Sequence, residues 1–225
     1  MADPLDRPVW NCLCGPQAGL AQAHGGALRI DTAYGPFAAA APGAEADLAA
    51  FLADADELWI VEPRELAPPR GTRVLRTALL VQMIADGLAP PGADDPEIEL
   101  LGERDAEAMT ELAGATQPGP WGAATRTYGP FYGIRRNGAL AAMAGERMRP
   151  ATHLAEVSGV CTRPEFRGQG LAARLIRRVM AGFAARGAVP FLHSYAANAG
   201  AIRLYESLGF RARRELVVTV LGKAA

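Results

Sequence analysis

The sequence predicts an α+β fold: a mixed sheet with a parallel portion, flanked by helices, over residues 97–225, behind a smaller α/β domain over residues 1–90. Three observations predict it. Between 131 and 162 three strand patterns run on as a meander, the first two parted by Asn137-Gly138, the strongest short hairpin signal. Two helical patterns then follow, each between strands, and such crossovers bring parallel neighbours into a sheet. Finally, 87–96 holds three prolines and two glycines and reads as a linker, so the domain boundary is drawn there.

Taken in order, 8–14 suits a short helix and 17–24 another, closed by Gly25-Gly26. Residues 27–30 and 37–41 are short strand candidates. Leu48, Phe51 and Leu52 give 44–53 a helical pattern, and 57–61 reads as a buried strand. The mostly aliphatic 72–85 is one long strand or a strand and a turn. Past the linker come a short strand at 98–101 and a helix to 115 with Asp105 as N-cap and Met109 and Leu112 inward. Residues 117–129, rich in glycine and proline around Trp121, form an irregular segment suited to lining a pocket. Strands are predicted over 131–136, 139–148 and 153–162, a helix over 169–186, a strand over 189–195, a helix after Asn198 that ends at Gly209, and a last strand over 210–221. The first half is read either as a degenerate copy of the second or as a lid over an acceptor pocket; no sequence repeat supports the copy.

Composition excludes several classes. Half of the residues are hydrophobic and 21% are charged, as in ordinary globular proteins. No apolar run reaches the roughly 18 residues that span a bilayer, and the N-terminus lacks the basic start of a signal peptide, so a cytosolic protein away from membranes is expected. Cys12, Cys14 and Cys161, an odd number in a chain of this length, argue against a disulfide framework, and Cys12 and Cys14 read as buried small hydrophobes; no zinc site or other metal site is expected. The net charge of −1 divides into −7 for residues 1–95 and +6 for 96–225. Ten basic residues against two acids lie between Arg163 and Arg214, a field suited to a small polyanion. Nucleic acid is not expected, because neither aromatic interleaving nor a recognised binding motif accompanies the charge. A homodimer is left open.

The chemistry concentrates at Val160-Cys161-Thr162-Arg163-Pro164-Glu165-Phe166-Arg167-Gly168-Gln169-Gly170-Leu171-Ala172, where a strand turns into a helix. Glycines 168 and 170 let the backbone approach a ligand closely, and the apolar series Leu171, Leu175, Val179, Phe183 makes the N–H groups that follow the first turn of a helix. Phosphate suits such donors. A Walker loop is excluded by the missing Gly-Lys-Ser/Thr ending, and a Rossmann fingerprint by the missing third glycine and ribose-binding acid.

The stretch Arg167-Gly168-Gln169-Gly170-Leu171-Ala172 resembles the Arg/Gln-x-x-Gly-x-Gly/Ala motif of the GNAT superfamily of N-acetyltransferases. A second stretch, Asn198-Ala199-Gly200-Ala201-Ile202-Arg203-Leu204-Tyr205-Glu206-Ser207-Leu208-Gly209-Phe210, resembles the family's Asn-x-x-Ala-x-x-Leu-Tyr-x-x-x-Gly-Phe segment. The resemblance covers about 97–225 and implies a mixed, mostly antiparallel GNAT-like sheet. It implies acetyl-CoA as co-substrate, held in a V-shaped opening between the strands 153–162 and 189–195. The pyrophosphate would lie on the backbone of Gly168, Gln169, Gly170, Leu171 and Ala172 with help from Arg167. The cofactor arm would pair with Val160, Cys161 and Thr162 and touch Asn198.

The resemblance also implies acetyl transfer to a primary amine of a small molecule or of a peptide or protein, with Tyr205 as the general acid for the departing thiolate. Amine attack needs a neutral amine, a stabilised oxyanion and that proton. Glu156 is the preferred base, because period-two spacing sets it on one face with Ser158, Val160 and Thr162. Glu146 is its rival, and either carboxylate can instead pair with Arg147, Arg149 or another arginine. Proton loss through water is a further route, and His193 is either a relay or a satisfied histidine. Neither Ser194 nor Cys161 has an evident base for nucleophilic work. The alternative from another class is a non-catalytic acyl-CoA-binding sensor or interaction module.

Overall fold

A computed structural model of the chain describes residues 3–86, 90 and 94–224. Its elements are, in order, α1 (Pro8–Cys14), β1 (Ala21–His24), β2 (Ala27–Ile30), β3 (Ala38–Ala40), β4 (Glu57–Glu62), β5 (Thr72–Ile84), β6 (Glu99–Leu101), α2 (Ala106–Thr116), β7 (Phe131–Arg136), β8 (Ala139–Glu146), β9 (Leu154–Thr162), α3 (Leu171–Ala184), β10 (Val189–Tyr195), α4 (Ala199–Ser207) and β11 (Arg211–Lys223). Strands β1, β2 and β3 form a small sheet. The other eight form one sheet in the order β4-β11-β5-β10-β9-β8-β7-β6. Every pairing in it is antiparallel except β9 with β10, so the α+β, mostly antiparallel prediction holds.

Local chemistry accounts for most elements. Asn137 and Gly138 both take positive φ, 51° and 80°, as a two-residue hairpin between β7 and β8 requires. Helix α3 turns Leu175, Ile176, Val179 and Phe183 onto Ile134, Ala142, Ala155 and Val157 of the sheet. Each such side chain taken fully out of water contributes about 1.5–3 kcal/mol.

Several boundaries differ from the prediction. Residues 17–24 were expected as a helix; they form a short 3₁₀ turn at Ala18–Leu20 and then β1, which pairs with β2 across Gly25-Gly26. Ala21-Gln22-Ala23-His24 gives a helix no apolar stripe to bury, whereas Gly25, at φ 53°, makes a tight turn. The helix expected over 44–53 is wound as a 3₁₀ helix, Glu45–Ala53, that buries Leu48, Phe51 and Leu52. Asp105 precedes α2, but its carboxylate accepts from the Gly102 N–H at 2.9 Å and leaves the helix's own N–H groups alone.

The main sheet also crosses the boundary drawn at 87–96, of which residues 87–89 and 91–93 lie outside the described residues. Strand β5, from the first half, lies between β10 and β11 of the second, with Leu80 opposite both Tyr195 and Leu216. The apolar layer beneath α1 mixes the halves likewise: Leu5, Val9, Phe37 and Val61 pack with Met148, Phe191, Leu216 and Val218. Part of the charge asymmetry becomes ion pairs between the halves, among them Arg213 with Asp3 and Asp6 at 2.7 Å and Arg174 with Asp95 at 2.5 Å. With β5 absent, β10 and β11 would each lose a ladder of backbone partners. Residues 97–225 produced alone are therefore expected to show no cooperative thermal transition by circular dichroism; a sharp, reversible transition would restore a separable second domain.

Candidate functional site

The turn after β9 is built as an anion cradle. Residues Pro164–Phe166 make one 3₁₀ turn, and the backbone then passes through Gly168 at φ 77° and Gly170 at φ 72°, the latter opening the 14-residue α3. Only glycine takes that conformation without cost. A Cβ at either glycine would meet no heavy atom within 4 Å, so the space in front of the turn is open. Among the described residues, the N–H groups of Gly168, Gln169 and Gly170 donate to no protein acceptor, and those of Leu171 and Ala172 start the helix. These donors carry the positive end of the helix dipole. Arg167 beside them has no carboxylate partner among the described residues; its Nε lies 3.4 Å from the Thr162 carbonyl oxygen.

A fork in the sheet lies next to the cradle. Parallel pairing of β10 with β9 covers Val189↔Leu154, Pro190↔Ala155 and Phe191↔Glu156 and then stops, while β9 continues to Thr162 against β8 alone. The strands splay apart there, as the resemblance implies. A bulge in β9 completes the opening: between Met143↔Cys161 and Gly145↔Ser158 the strand carries one extra residue, with Gly159 at φ 61°. A Cβ on Gly159 would stand 2.7 Å from the Phe131 ring.

The fork opens into a cavity of about 730 Å3. Val160, Cys161, Thr162, Arg167, Gly168, Ala172, Asn198 and Tyr205 all line it, so the structure gathers most residues singled out from the sequence at one place; Gln169, Gly170 and Leu171 belong to the same turn without lining the cavity. Leu171 is instead buried under α3. Asn198 caps α4 by accepting from the Ala201 N–H at 3.1 Å, which leaves its amide nitrogen available to a ligand. Tyr205 is half-buried with its ring edge on Phe210, and burial pushes its hydroxyl pKa up to about 12. It therefore stays protonated at neutral pH.

Glu156 is arranged differently from the expectation. The bulge changes the parity of β9: Val157 and Val160 pack on the α3 side, whereas Cys161 packs on the α2 side, so Glu156 and Val160 do not share a face. Its carboxylate is fully buried and does not line the cavity. Arg147 donates to both oxygens, Nε to Oε2 at 2.9 Å and Nη2 to Oε1 at 2.8 Å, and His193 Nδ1 lies 2.8 Å from Oε1. Burial raises the Glu156 pKa, but the Arg147 charge and these hydrogen bonds outweigh it and hold the group far below the usual carboxylate range. Such a carboxylate is a poor proton acceptor.

The other candidates are equally engaged. His193 lines the cavity, yet its Nε2 stands 3.0 Å from Gln82 Nε2, which donates 2.9 Å to the Leu5 carbonyl; the amide is thus a donor, and both imidazole nitrogens are taken. Glu146 pairs with Arg186 at 2.6 Å and Arg149 at 3.6 Å. Burial pushes the Cys161 thiol up to about 11 and Cys12 to about 12, and Cys12 donates to Gln17 Oε1 at 2.6 Å; both are inert, whereas Cys14 is exposed, not buried as expected. Among the described residues no group of three or more His, Cys, Asp or Glu is placed to hold a metal, and no helix is long and apolar enough to cross a membrane.

Sequence reasoning missed the far wall of the cavity. Residues 117–120 contribute, as the composition of that segment suggested, but so do Phe37, Trp59, Val61 and Leu80 from the first half and Arg147 and Met148 from the turn before β9. The signal available was the alternation of 57–62, half of whose side chains must leave the face that packs the small sheet.

Residues 131–218 match the family model of FR47-like proteins. No curated protein matches the chain. Among solved structures, a GNAT-family protein from Novosphingobium aromaticivorans DSM 12444 is 67% identical over 100% of both chains, with a TM-score of 0.96. More distant likenesses share the fold: a GCN5-related N-acetyltransferase from Kribbella flavida (22% identity, 91% of this chain and 89% of that one, TM-score 0.58) and a GCN5-related N-acetyltransferase-like protein from Streptococcus suis 89/1591 (18%, 96% and 92%, 0.61). The cradle, the splayed parallel pair and the 67% identity over the full length agree, and the chain belongs to the GNAT family of acetyltransferases.

Proposed function

We propose that the protein is an N-acetyltransferase that moves the acetyl group of acetyl-CoA to a primary amine. One observation carries most of this reading: Gly168, in the turn whose N–H groups at Gly168 to Gly170 are unpartnered, the one-sided strand edge at Val160 to Thr162 and the Tyr205 side chain line one cavity. That set suits a ligand with a pyrophosphate at one end, an amide-bearing arm along a strand and a thioester at the other end. Acetyl-CoA supplies an activated acyl carbon whose leaving group is a thiolate.

The chain's residues then have distinct tasks. The cradle binds phosphate by its N–H groups, with Arg167 adding charge. The edge of β9 fixes the arm by backbone pairing, as in strand addition. Asn198 contributes its amide nitrogen beside that arm. The amine nitrogen forms its bond to the acyl carbon as the C–S bond breaks, the Tyr205 hydroxyl gives its proton to the departing sulfur, and the proton that the acylated nitrogen then sheds passes through water to restore the tyrosine. Among the described residues no carboxylate lines the cavity, so the ammonium loses its proton to water before attack. A non-catalytic acyl-CoA sensor would need the cradle but not a buried, protonated hydroxyl beside it, and Tyr205 favours the enzyme.

Gly170→Glu is expected to abolish acetyl-CoA binding by calorimetry, while Gly170→Ala, which strains the backbone by about 1–2 kcal/mol without adding charge, weakens it only partly. Tyr205→Phe should keep the binding constant and lower kcat at least tenfold; unchanged turnover would remove the hydroxyl from the acid role. Glu156→Gln should cost about 3 kcal/mol in urea unfolding, because it breaks a buried pair around Arg147. Since the folded-state pKa of Glu156 is lowered, its contribution is present above the ordinary value of about 4.3 and lost as pH falls below it, so the two stability curves converge in acid. A fully stable but inactive Glu156→Gln protein would reinstate the base. Finally, the limb of kcat/KM that rises with pH should follow the acceptor, because the neutral amine attacks: two amines about one unit apart in pKa should give limbs about one unit apart.

A further inference from the structure

The far wall of the cavity says what kind of amine it admits. Among the described residues none that lines the cavity is Asp or Glu; the charged side chains there are Arg147 and Arg167, and Arg167 stands at the cradle end. The wall away from the cradle is apolar and aromatic, formed by Phe37, Trp59, Val61, Leu80, Met148 and Val218. Phe37 and Trp59 meet edge to face with ring centroids 6.1 Å apart. An ammonium group moved into such a wall without a counter-ion loses its hydration, which contact with a ring face returns only in part, and it meets the charge of Arg147 there. A polyamine or an amino sugar would bring several such groups towards Arg147.

Arg147 offers the opposite. Its guanidinium lies 4.8 Å over the Phe37 ring and is pinned on one edge by the buried Glu156, through Nε and Nη2. The third nitrogen, Nη1, has no hydrogen-bond partner among the described residues, and the side chain lines the cavity. The group is therefore a fixed donor whose orientation costs little entropy on binding, beside an aromatic surface. Hydrogen-bond acceptors, carboxylates above all, match that geometry. A guanidinium held only to balance Glu156 would have no need of a cavity at its free edge.

Resting on the transferase reading, we propose that the acceptor is a small aromatic amino acid: a molecule with a ring for the Phe37–Trp59 wall, a carboxylate for Arg147 Nη1, and the amine that is acetylated. Arg147 is thus a specificity-determining residue. Glu156 acts through it as a positioning residue.

The test compares matched acceptors by acetyl-CoA-dependent thiol release: phenylalanine against phenethylamine, 4-aminobenzoate against aniline, and spermidine. In at least one pair the carboxylate member should exceed its partner by tenfold or more in kcat/KM, with spermidine last. Spermidine as the best acceptor, or carboxylate-free members that match their partners, would overturn the proposal while leaving acetyl transfer intact. Arg147→Lys keeps a cation beside Glu156 and should shrink the preference to less than about threefold through KM; an undiminished preference in a folded variant also overturns it. Product binding gives a readout without turnover: with CoA present, N-acetylphenylalanine or 4-acetamidobenzoate should quench tryptophan fluorescence at concentrations at which N-acetylspermidine does not. Such quenching with no thiol release from any amine would sink the transferase reading and keep the pocket's preference. Quenching by N-acetylspermidine alone would sink the preference.

Discussion

The buried carboxylate of Glu156 holds the site together. It stands at the last paired position of the two parallel strands, opposite Phe191, and the strands part immediately beyond it. Its partners come from different places: Arg147 from the turn before β9, His193 from β10, and through His193 the Gln82 side chain on β5. Gln82 continues the chain, accepting from Arg213 on β11 at 2.9 Å, and Arg213 reaches Asp6 at 2.7 Å near the N-terminus. A single run of hydrogen bonds therefore ties four neighbouring strands to the first residues of the protein, and does so where the sheet has lost a backbone ladder. A carboxylate this deep is stable only because each oxygen is occupied; the same arrangement that makes it a sound anchor makes it a weak base.

That constraint separates two jobs that a GNAT site has to do. The proposed donor side is made mainly of backbone: glycine turns, free N–H groups and an unpaired strand edge, all insensitive to most side-chain choices. The proposed acceptor side is made of side chains gathered from both halves of the chain, Phe37 and Trp59 from one and Arg147 and Met148 from the other. Drift in side chains there leaves the cradle untouched, which is how one fold accommodates many acceptors.

The same division decides what the sequence could reveal. Glycines at 168 and 170, the apolar stripe of α3 and Asn137-Gly138 are local signals, the first and last tied to a backbone conformation that few residues adopt and the stripe to the helical period, and all three are legible. The helix predicted over 17–24 failed because Gly25-Gly26 was read as a helix stop when it was a hairpin turn. The bulge at Gly159 was not read either, although a lone glycine in a strand is its usual sign, and missing it inverted the face assigned to Glu156. The place of β5 between β10 and β11 is illegible for another reason: it depends on pairings between residues more than a hundred positions apart, such as Leu79 with Val217, for which no local pattern exists.

The position of β5 has a cost during synthesis. The strand leaves the ribosome early, carrying Leu75, Leu79, Leu80 and Val81 with a full row of open backbone groups, and both its sheet neighbours are translated more than a hundred residues later. At about 5–20 residues per second that wait is on the order of ten seconds. For that interval the nascent chain offers an unpaired, β-prone, largely uncharged segment, the kind most open to association with another copy. Arg73 and Arg76 are the charges within the strand, placed as gatekeepers of the kind that oppose such association.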